Sequence, residues 1–199
     1  LTILVPTVPN RLEYFYPRIM KELLKQTQEY DDKIEIISFF DNKKRTIGRK
    51  RNDMLKLAQG KYVVFVDDDD LIASDYVEEI MKAIETDPDC IVFDVICSIL
   101  SQDKDSLEHS YITQYCKFGI EYDYAVLPDG SMTGKPPHVC VWKSSIAKKY
   151  NYPDKQYGED TDWVKLACSD VKKQHRIEKV LYFYDANNTL SETADLSYG

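Results

Sequence analysis

The stretch KYVVFVDDDDLIASDYVEE, residues 61–79, drives an apolar run into four consecutive aspartates, Asp67 to Asp70, before an amphipathic pattern resumes. Adjacent carboxylates repel one another, and a charge taken out of water without a partner is costly. The segment therefore demands cations, and it fixes where the chain must place a polar site: at the end of a buried strand.

That strand is the third of a series. LTILVP, KIEIISFF and KYVVFV are β-like runs, each followed by a helical pattern, and CIVFDVICSIL reads as a fourth, long buried strand. The helix after the first run carries Leu12, Phe15, Ile19, Leu23 and Leu24, with Pro17 expected either in its first turns or as a kink. The second strand ends in the turn pair Asp41-Asn42, and the next helix shows Ile47, Met54, Leu57 and Ala58, with Gly60 as its expected stop. Ser74 is the expected N-cap of DYVEEIMKAIET. Strands alternating with helices predict a Rossmann-like α/β unit with a mostly parallel sheet flanked by helices.

From Gln102 the order weakens. SQDKDSLEHS reads as an exposed polar loop, Pro128-Asp129-Gly130 as a turn, SSIAKKY and EDTDWVKLACSD as short helices, and RIEKVLYFYD as a last strand. A chain of 199 residues, 43% apolar, is expected to form one domain over 1–199. A formal net charge of −8 argues against a general nucleic-acid or membrane-surface binder. No run is long and apolar enough to span a bilayer. The start, LTILVPTVPNR, has neither a secretory signal nor a Met, as expected of a trimmed or excised chain. Five cysteines without a CxxC pair predict free thiols in a reducing, cytoplasmic compartment. His109, His138 and His175 offer no zinc-ligand spacing with them.

Ligands of open α/β sheets bind beyond the carboxyl ends of the strands, and oxygen donors there suit Mg²⁺ or Mn²⁺ bridged to phosphate. A solvated, capped helix start explains one or two of the aspartates but not four. An EF-hand counted from Asp68 puts Ile72 where an oxygen ligand is needed and Ala73 where the glycine belongs. A haloacid-dehalogenase-like phosphotransferase, with Asp67 and Asp69 as its Asp-x-Asp, is an enzyme alternative.

The block IGRKRNDMLKLAQGKYVVFVDDDD, together with ILVPTVPNR, Asp41 and the later HVCVWKSSIAKKYNYPDKQYGEDTDW, resembles glycosyltransferase family 2 with its GT-A fold. The resemblance implies a nucleotide-sugar-binding half over 1–100 and an acceptor-binding half over 101–199. It implies donor contacts from Thr7, Arg11, Asp41, Gly48, Arg51, Asp67 and Asp68, with Asp41 accepting from a ring N–H such as that of uracil, so that a UDP-sugar is favoured. It further implies Mn²⁺ or Mg²⁺ on Asp69 with His138 nearby, Asp160 as the catalytic base, and Glu159 and Trp163 shaping the pocket for a hydroxyl acceptor. Asp70 is left to support the metal or cap the following helix. A GT-A domain that binds a nucleotide sugar without turnover is the non-enzymatic alternative. The cluster Arg45, Arg49, Lys50 and Arg51 reads either as a solvated helix face or as a place for a diphosphate.

Overall fold

A computed structural model describes residues 1–101 and 110–185. The loop expected over SQDKDSLEHS falls almost wholly outside the described residues. The chain forms β1 (Thr2–Thr7), α1 (Phe15–Thr27), β2 (Glu35–Phe40), α2 (Ile47–Leu57), β3 (Tyr62–Phe65), β4 (Leu71–Ile72) and α3 (Tyr76–Ile84). There follow β5 (Cys90–Ser101), β6 (Ser110–Phe118), β7 (Ala125–Val126), β8 (Met132–Gly134), β9 (Val141–Lys143), α4 (Ser144–Ala147), α5 (Glu159–Ala167) and β10 (Gln174–Asp185).

One sheet runs through the molecule. β1 lies between β2 and β3, parallel to both, with Thr2 opposite Glu35 on one side and Val63 on the other. β1 and β3 are buried along their whole length, which is why they read as unbroken apolar runs. Beyond β3 the short β9 inserts antiparallel, and it also pairs antiparallel with the base of β5 at Cys90 and Ile91. β5 then continues beside β6 from Asp94 onward, and carries β10 parallel on its other edge. The result is an α/β fold flanked by helices, in which the longer pairings β1–β2 and β5–β10 are parallel and β5–β6 antiparallel.

Local chemistry explains the helices. α1 buries Phe15, Ile19 and Leu23, one residue per turn, and holds Pro17 in the first turn, where its missing N–H leaves no bond unmade. α2 starts at Thr46, whose hydroxyl accepts from the Arg49 N–H at 3.2 Å. Gly48 stands against the carbonyl of Pro153, and a Cβ there would lie 1.9 Å from that oxygen. The residue expected among the donor contacts is thus a packing glycine that lets α2 meet the segment before α5. Gly60 serves the same purpose against β1: a Cβ would sit 2.7 Å from the Thr2 nitrogen, and α2 has already ended at Leu57. α3 takes Asp75 rather than Ser74 as its N-cap, with no side-chain capping bond.

The core between β9 and α5 is aromatic. Trp163 stacks on Tyr152 at 4.7 Å between ring centroids and meets Trp142 edge-on at 5.0 Å. Its indole N–H donates to the Tyr150 carbonyl, and the residue is 1% exposed. Trp163, expected to shape an acceptor pocket, is thus packed as a core residue. All five cysteines are free thiols, as their spacing led one to expect. Among the described residues no helix is long and apolar enough to cross a membrane.

Candidate functional site

The loops after β1 and β3, the start of α2 and the start of α5 converge on a cavity of about 320 Å³. Thr7, Arg11, Lys50, Arg51, Asp67 and Asp69 line one side, joined by His138, Glu159 and Asp160. Val95, Cys97, Phe118, Tyr182 and Tyr184, from β5, β6 and β10, line the other. Its size and mixture of apolar wall with a few convergent polar groups are those of a small-molecule site.

The four aspartates divide into two kinds. Asp68 and Asp70 are fully buried, whereas Asp67 and Asp69 line the cavity. Asp68 accepts from the Thr7 hydroxyl at 2.6 Å and from Arg11 Nη1 at 2.7 Å. Asp70 accepts from the Tyr182 hydroxyl at 2.6 Å and from the Asp185 N–H at 3.0 Å. Burial pushes the Asp70 carboxyl well up, and the charges of Asp67 and Asp69 add to that. Arg11 is a fork: its Nη2 reaches Asp69 at 2.8 Å. Arg18 from α1 donates to the Asp69 carbonyl at 2.7 Å, and the Asp67 N–H donates to the Tyr182 hydroxyl at 3.0 Å. The cations that the run requires are thus supplied largely by the chain itself. Asp68, expected among the donor contacts, is an internal anchor that joins the β1 loop to the β3 turn.

Arg51 is the centre of the polar side. Its side chain is 4% exposed, its Nε meets Glu159 at 3.2 Å, its Nη2 meets Asp67 at 3.3 Å, and its guanidinium lies over the Phe65 ring. Burial acts to raise the Asp67 pKa, but Arg51 and His138 outweigh it and hold the carboxyl well below the usual range. His138 stands between two carboxylates, with Nε2 at 3.2 Å from Asp67 and Nδ1 at 3.2 Å from Asp160. Burial and Arg51 act to lower the imidazole pKa, but Asp67 and Asp160 prevail and it is pushed up to about 9. With both ring nitrogens protonated it donates to both carboxylates. The neighbouring acids of α5 differ in their surroundings. The Glu159 side chain is 6% exposed and tied to Arg51, and burial raises its pKa. The Asp160 side chain is 30% exposed; burial pushes its pKa up, yet His138 holds it below the usual range.

Asp41 lies outside the cavity lining. One oxygen meets Lys50 Nζ at 2.8 Å, and the other, Oδ2, is buried without a hydrogen-bond partner. Lys50 also donates to the Thr7 carbonyl at 3.1 Å. The basic cluster of α2 therefore splits: Lys50 and Arg51 face inward, while Arg45 pairs with Asp53 at the surface and Arg49 is exposed. Lys50, Arg18 and Tyr182 were not singled out as individual site residues from the sequence. For Lys50 a signal was present, since it shares the helical phase of Met54 and so had to be buried and paired.

The model of glycosyl transferase family 2 matches residues 17–149, about two thirds of the chain, and the chain belongs to that family. The haloacid-dehalogenase alternative is thereby set aside. Among solved structures it is similar to S. aureus TarS 1-349 in complex with UDP-GlcNAc, at 15% identity and a TM-score of 0.64, covering 94% of this chain and 58% of that one. The same protein in complex with UDP gives 15% identity and a TM-score of 0.62, covering 97% of this chain and 67% of that one. At these identities the likeness shows the fold, GT-A. This chain spans little more than half of the first TarS chain. No curated protein matches it by sequence.

Proposed function

We propose that this glycosyltransferase-family domain moves a sugar from a nucleoside diphosphate sugar to an acceptor hydroxyl with inversion, using Asp160 as general base. The observation that carries this reading is the contrast within the first turn of α5: both acids line the cavity, but the Glu159 side chain is 6% exposed and bound to Arg51, while that of Asp160 is 30% exposed. Asp160 takes the acceptor proton as the acceptor oxygen attacks the anomeric carbon, and the bond from that carbon to the diphosphate breaks. A single displacement with no enzyme nucleophile inverts the anomeric centre. Arg11, Lys50 and Arg51 are the fixed cations nearest to an incoming diphosphate, and charge developing on the leaving group is what such groups stabilise. A diphosphate that engages His138 and Arg51 weakens their hold on Asp160, and so raises its basicity when acceptor chemistry begins.

Uridine donors are the first to try, because TarS has been solved with UDP-GlcNAc and with UDP. The carboxylates of Asp67 and Asp69 have the hard oxygen chemistry that Mn²⁺ or Mg²⁺ prefers. Each is paired with a cationic side chain, and no group of three donors is preassembled for a metal among the described residues. Asp69 would hold the ion, supplying charge neutralisation on the diphosphate; His138, protonated on both ring nitrogens beside Asp67 and Asp160, has no lone pair to give it until it loses a proton. The test is thermal stabilisation by a panel of nucleotide sugars with and without Mn²⁺, followed by transfer to simple hydroxyl acceptors and assignment of the product's anomeric configuration. Stabilisation by UDP-sugars and an inverted product are expected. Binding without turnover of any donor would instead make the chain a nucleotide-sugar-binding domain, and retention of configuration would remove Asp160 from the base role.

A further inference from the structure

The apolar wall of the cavity contains a pair of thiols for which sugar transfer has no use. β5 and β6 run antiparallel with Val95 opposite Cys116 and Cys97 opposite Gln114. Cys97 and Cys116 are thus diagonal neighbours on one face of the sheet. Their sulfur atoms lie 3.4 Å apart. Cys97 is half-buried and lines the cavity between Val95 and Tyr184, whereas Cys116 is fully buried behind it. A disulfide bond is about 2.05 Å long, so closure asks the sulfurs to approach by about 1.4 Å, and for a diagonal pair the two strands must shift toward one another as well. The remaining cysteines, Cys90, Cys140 and Cys168, are not part of the cavity lining.

We propose that Cys97 and Cys116 form a reversible dithiol–disulfide couple in the cavity wall, closed by hydrogen peroxide and reopened by a thiol reductant. In the oxidation one sulfur, as thiolate, attacks a peroxide oxygen. The O–O bond breaks, and the hydroxide that leaves is protonated to water. The sulfenic acid so formed is attacked by the second sulfur, the S–S bond forms and a second water departs. Two thiols are oxidised and one peroxide is reduced. A reducing thiol restores the pair by exchange. Cys97, at the cavity surface, is the member that a small oxidant meets first. A ligand seated in the cavity covers Cys97, so occupancy and oxidation compete; this last point rests on the reading of the cavity as a nucleotide-sugar site.

The experiment treats the full chain with hydrogen peroxide, then counts free thiols in denaturant, measures intact mass and maps peptides. Expected are the loss of two of the five thiols, a mass lower by about 2 Da for two hydrogens, a Cys97–Cys116 linked peptide, and recovery of all five with dithiothreitol. Cys116→Ser is expected to abolish the mass loss and to leave added oxygen on Cys97. Cys97→Ser, at the half-buried position, is expected to abolish the linked peptide, and it serves if the first variant does not fold. Retention of all five thiols, a linkage between other cysteines, or loss of two thiols in Cys97→Ser overturns the couple. UDP with Mn²⁺ is expected to slow oxidation severalfold. If UDP stabilises the fold yet leaves the oxidation rate unchanged, the link to occupancy is overturned. If UDP does not bind at all, the nucleotide reading fails while the thiol count still decides the couple.

Discussion

The two sides of the cavity are built on opposite principles. On the polar side each charge is answered by another: Arg11 by Asp68 and Asp69, Arg51 by Asp67 and Glu159, His138 by Asp67 and Asp160. On the apolar side, Val95, Phe118 and Tyr184 meet the cavity as parts of a continuous sheet. Paired charges in a buried site are held by their partners, so removal of one strands another. Apolar contacts are many and individually small, and they yield gradually.

Arg51→Met should break the comparison most severely. It strips the buried Glu159 of its ion-pair partner and leaves Asp67 to His138, and a loss of about 3–5 kcal/mol is expected in urea unfolding. Next comes Asp160→Asn, which keeps the shape and removes the base. Turnover should fall by about 10²–10⁴-fold while UDP affinity changes little, and a variant that retains near-normal transfer would place the base elsewhere.

A gentler probe is pH. The folded His138 pKa, about 9, lies above its ordinary 6.5, so the stability it contributes is complete below pH 6.5 and is lost as pH rises through 9. Unfolding of the nucleotide-free chain should show that decline, and His138→Gln should flatten it. The apolar side should respond least: Phe118→Leu is expected to cost about 1–2 kcal/mol and to leave turnover within a few-fold, as measured by melting and by initial rates. A response as large as that of Arg51→Met would erase the distinction between the two sides.

The same contrast governs how much the sequence reveals. Thr7, Arg11, Arg51, Asp67, Asp69, His138, Glu159 and Asp160, all legible as chemistry at strand ends or helix starts, do converge on one cavity. Pairing among them was not legible. Asp68 and Asp70 turn inward because Thr7, Arg11, Tyr182 and Asp185 wait for them, and those partners are 57 to 115 residues away. The parallel strands announced themselves by long apolar runs, but β9 has three residues, too few to show a period, and its antiparallel place follows from the neighbours it fits. Trp163 illustrates the limit of residue type. An indole near an acidic pair suits a sugar platform, and only the packing of Tyr152 and Trp142 makes it core. Gly48 likewise carries no local sign that the Pro153 carbonyl will arrive beside it.

The bonds from Asp70 to Tyr182 and Asp185 also set a clock. During synthesis the aspartate run emerges more than a hundred residues before the strand that satisfies it. A domain folds as a unit, so the aspartate run stays unsatisfied until the later strands have been made. The cavity then takes its final form only when β10 docks, and the last described strand, not the acidic run itself, times the birth of the site.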